Sequence, residues 1–281
     1  MEKLRAYWLE FFETEHNEIS WWKRKKDLCK KRGVEIVRIN GEGSIYERMI
    51  QRSGETVHYL LHITFLMKQK DHFYMEENVN AYQFRLVEGE IVDNHMIGLP
   101  YEKVEKEKIV PETIRNGKIE RFSYDRLAAV QYAERWWNSY NPAYRKFDVD
   151  CTNYVSQCLR AGGAPMRGAP NRNQGWWYQN NNWSYSWSVA HSLRWYLDGS
   201  TQGLKGIAVD SASDLSPGDI ICYDFEGDGR WDHNTIVVSR DNNGMPLVNA
   251  HTDNSRHRYW SYEDSTAYTP NIKYKFFRIG E

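Results

Sequence analysis

The sequence lacks the features that mark several common protein classes. Its 281 residues include four cysteines, too few for a disulfide-stapled secreted domain, and none forms the C-x-x-C pair typical of a zinc site. No apolar run approaches the ~18 residues that a membrane-spanning helix needs. The 37 basic residues balance 38 acidic ones, so no global charge attracts nucleic acid. We expect free thiols, no nucleic-acid partner and no membrane span, and no motif requires a cofactor.

The N-terminal residues, MEKLRAYWLEFFETEHNE, also lack the basic start and uninterrupted apolar stretch of a signal peptide. A chain trimmed of its leader would look the same. The compartment is therefore left unknown: the sequence as given reads as cytoplasmic, and the cell envelope and a spore are the alternatives.

The apolar pattern changes along the chain and predicts two domains. Helical spacing near the N-terminus gives way to strand-like alternation over residues 34–84, broken by turn signals at Asn40-Gly41 and Ser53-Gly54. A helix followed by an antiparallel meander is similar in topology to cystatin and NTF2-like domains. We expect an α+β accessory domain of unknown partner over residues 1–105, a Lys- and Glu-rich linker over 106–121 and a second domain over 122–281.

The second domain begins with helical patterns and continues with strands. Residues 124–140 and the segment that starts at Cys151 have apolar positions three or four apart, and a further helix is expected over 188–197. Strand-like segments follow, with predicted bounds of 220–223, 232–239, 246–252 and 273–279.

The position of Cys151 in the first turn of a predicted helix suits a catalytic thiol. A thiolate is the attacking species, and a helix N-terminus favours that negative charge and lowers a thiol pKa. His233 opens a predicted strand, from which its ring can project toward Cys151 and serve as the base. The remaining cysteines fit other roles: we expect Cys158 and Cys222 in the core and Cys29, in a basic run, at or near the surface.

Four motifs in order, DCTNYVSQCL, WSYSW, LSPGDIICYDFEGDGRWDHNTIVV and LVNAHTDN, resemble the amidase domain of Gram-positive bacteria, a relative of the NlpC/P60 and CHAP thiol hydrolases. The resemblance covers roughly residues 124–280. It implies a papain-like fold and a cysteine amidase or peptidase, with Cys151 as nucleophile and His233 as base. It also implies that the substrate is cell-wall peptidoglycan or its peptides.

The resemblance also implies a third polar residue that holds the histidine tautomer. His251 suits the NlpC/P60 pattern, whereas Asn249 suits the CHAP and papain-like pattern, and Asp253 is the third alternative. His251 and Asn249 are one strand period apart, so both point to one face of the strand. The oxyanion would be met by the backbone N–H of Cys151 and a second donor.

Two further sets of residues admit alternative interpretations. Trp176, Trp177 and Trp187 lie in an aromatic-rich stretch that either lines a substrate groove or packs in the core. Asp224 and Asp228 alternate with glycines as in part of a calcium loop, but the closing Glu of an EF-hand is missing. A tight turn that aims His233 is the other interpretation of this loop.

The same cysteine and histidine fit two rival functions. An acyltransferase or transamidase would pass the acyl group to an amine instead of water. A non-catalytic wall-binding module would keep the pocket without turnover. Fold alone does not distinguish among these functions.

Overall fold

The computed structural model describes residues 2–14, 20–51, 54–97 and 122–280. The chain divides into two compact units, Met1–Pro100 with Tyr262–Thr266 and Tyr101–Ser261 with Ala267–Glu281. Each unit is mixed α/β and contains antiparallel strands and a hydrophobic core. The linker predicted over 106–121 lies outside the described residues. Among the described helices, none combines the length and apolarity that a membrane crossing requires.

The first unit pairs two helices with four antiparallel strands in the order β1-β2-β3-β4. One face of the sheet builds the core, because alternate side chains of the second strand, from Val57 to Met67, are buried. The bounds are α1 (Glu2–Glu13), α2 (Trp21–Arg32), β1 (Val34–Gln51), β2 (Gly54–Gln69), β3 (His72–Val87) and β4 (Glu90–Met96).

The turn predicted at Asn40-Gly41 is wrong, because β1 continues through both residues. Asn40 pairs with Thr64 and Gly41 with Ile63 of β2, so the strand ladder satisfies the backbone where a turn would break it. Register shifts at Ile36/Arg38 and Ile45/Glu47 let this long strand bend without ending.

The first unit contains a buried lysine, Lys25, which forms ion pairs with two carboxylates. Lys25 of α2 is 3% exposed, and its Nζ lies 2.5 Å from Glu76 and 3.3 Å from Asp264. Burial opposes the charged amine, but the two carboxylates outweigh it and raise the pKa of Lys25. Cys29, one turn further along the helix, is also buried, which corrects the expectation of an exposed thiol. Burial raises the pKa of Cys29 to about 11.

We expect Lys25→Met to destabilise the protein by about 3 kcal/mol, because it leaves two buried carboxylates without their counter-ion. Urea denaturation near neutral pH measures this loss. Lys23→Met is the matched control, since its ion pair with Asp27 on the same helix is exposed and is worth about 0.5 kcal/mol or less. Equal losses in the two variants would contradict the role given to Lys25.

The second unit carries helices against an antiparallel sheet of order β11-β10-β9-β8-β12-β7. A separate two-stranded ribbon joins β5 to β6. Its helices are α3 (Arg126–Trp136), α4 (Cys151–Ala161), α5 (Tyr185–Ser188) and α6 (Ala190–Gly199). Its strands are β5 (Tyr178–Gln179), β6 (Asn182–Trp183), β7 (Gly206–Val209), β8 (Ile220–Asp224), β9 (His233–Arg240), β10 (Pro246–Ala250), β11 (Asn254–Tyr259) and β12 (Lys273–Ile279).

The predicted helices and strands of this unit are confirmed in position. The short elements α5, β5 and β6 were not predicted, nor were the sheet strands β7 and β11. Their sequences, GIAV and NSRHRY, are short or polar and give no clear alternation. The pairing of β11 with β10 and of β7 with β12 decides their structure instead.

The motif Pro217-Gly218-Asp219 fixes the start of β8. Asp219 is fully buried and accepts hydrogen bonds from Arg126, Ser216 N and Ile279 N. Gly218 has φ +93°, a conformation that favours glycine. The motif therefore joins α3, β8 and β12, and it holds the hairpin of β8 and β9 that carries His233.

Candidate active site

Cys151 is the first residue of α4, and its side chain is 1% exposed. The preceding residue, Asp150, does not cap the helix through its side chain, although residues of its type often do. The positive end of the helix is therefore not neutralised by an Asp150 side-chain cap, and Cys151 lies directly on it.

Burial nevertheless raises the pKa of the Cys151 thiol, contrary to the lowering expected from the helix terminus. The backbone N–H of Asn234 and the hydroxyl of Thr152 stabilise the thiolate in part, and the Asp150 carboxylate opposes it. The Thr152 hydroxyl lies 3.7 Å from Sγ. At neutral pH the resting residue is a thiol.

Asn234 joins the start of β9 to the start of α4. Its Nδ2 donates to Thr152 Oγ1 at 3.0 Å, and its backbone N–H stabilises the Cys151 thiolate. Asn234 is fully buried, so both contacts are shielded from water. His233 is the residue directly before Asn234 and the first residue of β9.

His233 occupies an apolar setting at the first position of β9. It is 8% exposed, pairs with Tyr223 of β8, and lies 6.2 Å from the ring of Phe225 between ring centroids. Burial, together with the positive charge of Arg258, lowers the pKa of His233 to about 3. The imidazole is therefore neutral at physiological pH, which is the form that a general base requires.

Cys151 is thus a thiol and His233 a neutral imidazole. These protonation states differ from the thiolate and imidazolium of a strongly activated cysteine. They suit a mechanism in which the sulfur loses its proton to the base while it attacks.

The three candidates for the third residue have different surroundings. His251 donates to or accepts from Asp150 Oδ2 at 2.7 Å through Nδ1 and lies 2.7 Å from the Trp136 carbonyl through Nε2. The Asn249 amide is used by Glu134 and by the backbone N–H of His257. Both side chains thus have polar partners other than His233, and the choice of third residue stays a prediction.

Asp253 lies in the turn between β10 and β11. Burial raises the pKa of its carboxyl, and Arg258 opposes that rise. Arg258 also acts on His233. The positive charge of Arg258 thus acts on both Asp253 and His233.

The tryptophans predicted to line a groove lie in the core instead. Trp176, Trp177 and Trp187 are at most 2% exposed, so the core-packing alternative describes them. Trp187 Nε1 donates to Asn153 Oδ1 at 2.8 Å, and Asn153 Nδ2 donates to Asp150. Their assignment as substrate contacts is therefore corrected. Trp187 supports the first turn of α4 through its hydrogen bond to Asn153.

The acidic loop before His233 is organised by its own backbone. The Asp224 carboxylate accepts N–H donors from Gly227, Asp228 and Gly229, as expected for a tight turn. Asp228 accepts from Arg230 N. Among the described residues, the carboxylates close enough to share a cation are those of Asp224, Glu226 and Asp232, and Asp228 is not one of them.

Asp232 is the most perturbed acid of this loop. Burial and the neighbouring Glu226 raise the pKa of Asp232 to about 6. Its Oδ2 accepts the N–H of Phe225, which closes the loop directly before His233.

Sequence reasoning missed three residues of the site: Asp150, Thr152 and Asn234. Each is adjacent to a predicted catalytic residue, within the motifs DCTNY and WDHNT. Their polar side chains, next to the predicted nucleophile and base, were the signal that could have identified them. Their hydrogen-bond partners are distant in sequence, and only the fold brings these partners together.

A known family model covers the part of the chain that contains this site. The family model described as "Putative amidase domain" matches residues 123–277, which include Cys151, His233 and the third-residue candidates. The chain belongs to this amidase domain family. The description names an amidase, a hydrolase that acts on C–N bonds.

Two Bacillus subtilis proteins are similar to the chain. The uncharacterized protein YhbB is 46% identical over 281 residues, which cover 95% of this chain and 88% of that protein. The uncharacterized protein YjcM is 33% identical over 140 residues, or 47% of this chain and 31% of that protein. No solved structure matches the chain significantly.

Proposed function

We propose that the amidase domain is a cysteine hydrolase in which Cys151 is the nucleophile and His233 the general base. The observation that carries the proposal is the 3.0 Å hydrogen bond that Asn234 Nδ2 donates to Thr152 Oγ1. It ties the start of the β9 strand, where His233 lies, to the start of α4. The neutral state of both groups adds support, because each is in the form that the first step consumes.

The reaction begins when Cys151 Sγ attacks the amide carbonyl carbon and its proton moves to an imidazole nitrogen of His233. The C–N bond then breaks, and the imidazolium gives the proton to the leaving amine. Water, deprotonated by His233, attacks the thioester that remains on Cys151. The products are a carboxylic acid, an amine and the regenerated thiol.

The oxyanion of each tetrahedral intermediate needs fixed donors. The start of α4 supplies the backbone N–H of Cys151, at a helix end that Asp150 does not cap with its side chain. The dipole of α4 adds to this stabilisation.

For the group that stabilises the His233 imidazolium we propose Asp253. Arg258 acts on both residues, so a carboxylate at Asp253 offsets the positive charge that disfavours proton uptake by His233. This assignment replaces His251 and Asn249, whose polar atoms bind Asp150, Trp136, Glu134 and His257.

We further propose that the domain is a papain-like relative of the NlpC/P60 and CHAP hydrolases and acts on peptidoglycan or its peptides. A cysteine at the start of a helix that packs against a strand led by histidine supports the kinship. The ordered four-motif resemblance supports the substrate class. The first unit would then serve in binding or targeting.

Product analysis tests the reaction. Peptidoglycan fragments incubated with the full chain in ¹⁸O-labelled water should yield new amines together with carboxyls that contain ¹⁸O. Mass spectrometry should detect the acyl group on the peptide that contains Cys151 when the reaction is stopped early.

Two other outcomes would overturn the proposal. If an added amine acceptor captured most of the acyl group, the protein would be a transamidase. If fragments bound without release of any amine, a wall-binding module would be the better description.

A further inference from the structure

Asp150, directly before the nucleophile, is surrounded by hydrogen-bond donors. Its Oδ1 accepts the backbone N–H of Phe147 and Nδ2 of Asn153, each at 2.9 Å. Its Oδ2 lies 2.7 Å from His251 Nδ1. The residue is 1% exposed, so this carboxylate depends on protein donors for its stability.

The contacts of His251 define how many protons the two side chains hold. Nε2 lies 2.7 Å from the Trp136 carbonyl, which can only accept, so Nε2 must bear a proton. The contact of Nδ1 with Asp150 then requires one more proton between the two atoms, on either the ring or the carboxyl. In either arrangement the two side chains together carry no net charge.

The pair is enclosed by aromatic rings and backbone. The His251 ring stacks on Tyr154 of α4 at 4.1 Å between centroids and contacts Tyr140 at 4.8 Å. Thr252 Oγ1 accepts the backbone N–H of Asp150 at 3.2 Å. The titratable or charged groups that face the pair are Cys151, Tyr132, Tyr140, Tyr154 and Lys146, the last through the ring of Tyr140.

We propose that Asp150 and His251 form an electroneutral, proton-sharing pair that positions the N-terminal turn of α4 and shields the Cys151 thiol from the Asp150 charge. Both are positioning residues, since they act on the reaction through Cys151. The proposal rests on the proposed function for its catalytic meaning. Its physical content, the effect on the Cys151 thiol, does not require that the protein hydrolyse an amide.

Three variants separate charge from geometry. His251→Gln removes the shared proton and leaves the Asp150 carboxylate uncompensated beside Cys151. Asp150→Asn keeps the hydrogen bonds, because its amide oxygen accepts from Phe147 N and Asn153 while its NH₂ donates to Nδ1 of a neutral His251. The double variant Asp150→Asn/His251→Gln again carries no net charge.

The measurement is the alkylation rate of Cys151 by iodoacetamide as a function of pH, read by mass spectrometry of the peptide that contains it. We expect His251→Gln to raise the midpoint of the profile by about one pH unit and to slow alkylation near neutral pH about tenfold. Asp150→Asn should keep the wild-type rate to within about threefold. The double variant should recover that rate to the same extent. His257→Gln is the matched control, since its ring contacts Glu134, and should leave the midpoint unchanged.

Two results would overturn the proposal. If Asp150→Asn lowered the midpoint by a unit, Asp150 would act as a lone negative charge and not as half of a neutral pair. If the double variant were as slow as His251→Gln, the loss would come from packing. Should His251→Gln fail to fold, Asp150→Asn alone decides between the two views. Absence of amide hydrolysis in the wild type would remove the proposed function but leave these rates interpretable.

Discussion

Cys151→Ala should lower kcat/KM for amide cleavage by at least about 10⁴-fold, because no other group in the site can form the thioester. The effect should be on kcat as well as on kcat/KM, since the lost interaction exists in the transition state and not in substrate binding. Release of amines from peptidoglycan fragments, followed over hours, gives the required sensitivity.

Cys158→Ala is the matched control for this experiment. Cys158 lies two turns further along α4 and is fully buried, with a pKa raised well above the ordinary thiol value by burial. Its loss should cost about 1–2 kcal/mol of stability and leave kcat/KM near the wild-type value. Comparable losses of activity in the two variants would refute Cys151 as the nucleophile.

The sequence was sufficient to place the two central residues on their elements. Cys151 starts a helix and His233 starts a strand, as the helical spacing after Asp150 and the apolar run after His233 indicate. The spacing of apolar residues predicts helices and strands well, because each element must bury one or both of its faces.

The protonation states of these residues could not be predicted in the same way. A helix N-terminus lowers a thiol pKa, but full burial of Cys151 outweighs it. The amount of burial depends on segments far away in sequence, such as β9, which packs against α4. The local sequence pattern therefore predicts a shift of the Cys151 pKa in the wrong direction.

The same limit explains the tryptophans and His251. Trp176 and Trp187 lie in a polar stretch with no period, yet their indole N–H groups find Ser156 and Asn153 on the buried side of α4. His251 lies close enough in sequence to suit a role beside His233, but Asp150 and Trp136 bind it instead. The partners of buried polar groups are set by the tertiary structure and not by the local sequence.

His233→Gln should make the second unit far less sensitive to acid than the wild type. The pKa of His233 is lowered to about 3 in the folded protein, against about 6.5 in an unfolded chain. Between these values the unfolded chain binds a proton that the folded protein excludes. The stability of the wild type therefore falls as pH drops from about 6.5 toward 3, by an amount on the order of 4–5 kcal/mol in total.

The comparison is best made as a difference between variants, because other groups titrate in the same range. The raised pKa of Asp232, about 6, makes the folded state take up a proton first and adds stability as pH falls. That contribution is common to wild type and His233→Gln and cancels if the loop keeps its structure. Burial acts to raise the pKa of Glu134, but hydrogen bonds from His257 and Arg256 outweigh it and lower that pKa to about 2. Glu134 therefore titrates mainly below the chosen pH range.

Urea midpoints at pH 7 and pH 4.5, read by hydrogen exchange in peptides from α4 and β9, should therefore differ between the proteins. The wild type should lose on the order of 2–3 kcal/mol more than His233→Gln over this interval. His72→Gln, which changes an exposed histidine of β3, should follow the wild type. If His233→Gln were as acid-sensitive as the wild type, the pKa of His233 in the folded protein would lie near its unfolded value, and burial would not be what keeps the imidazole neutral.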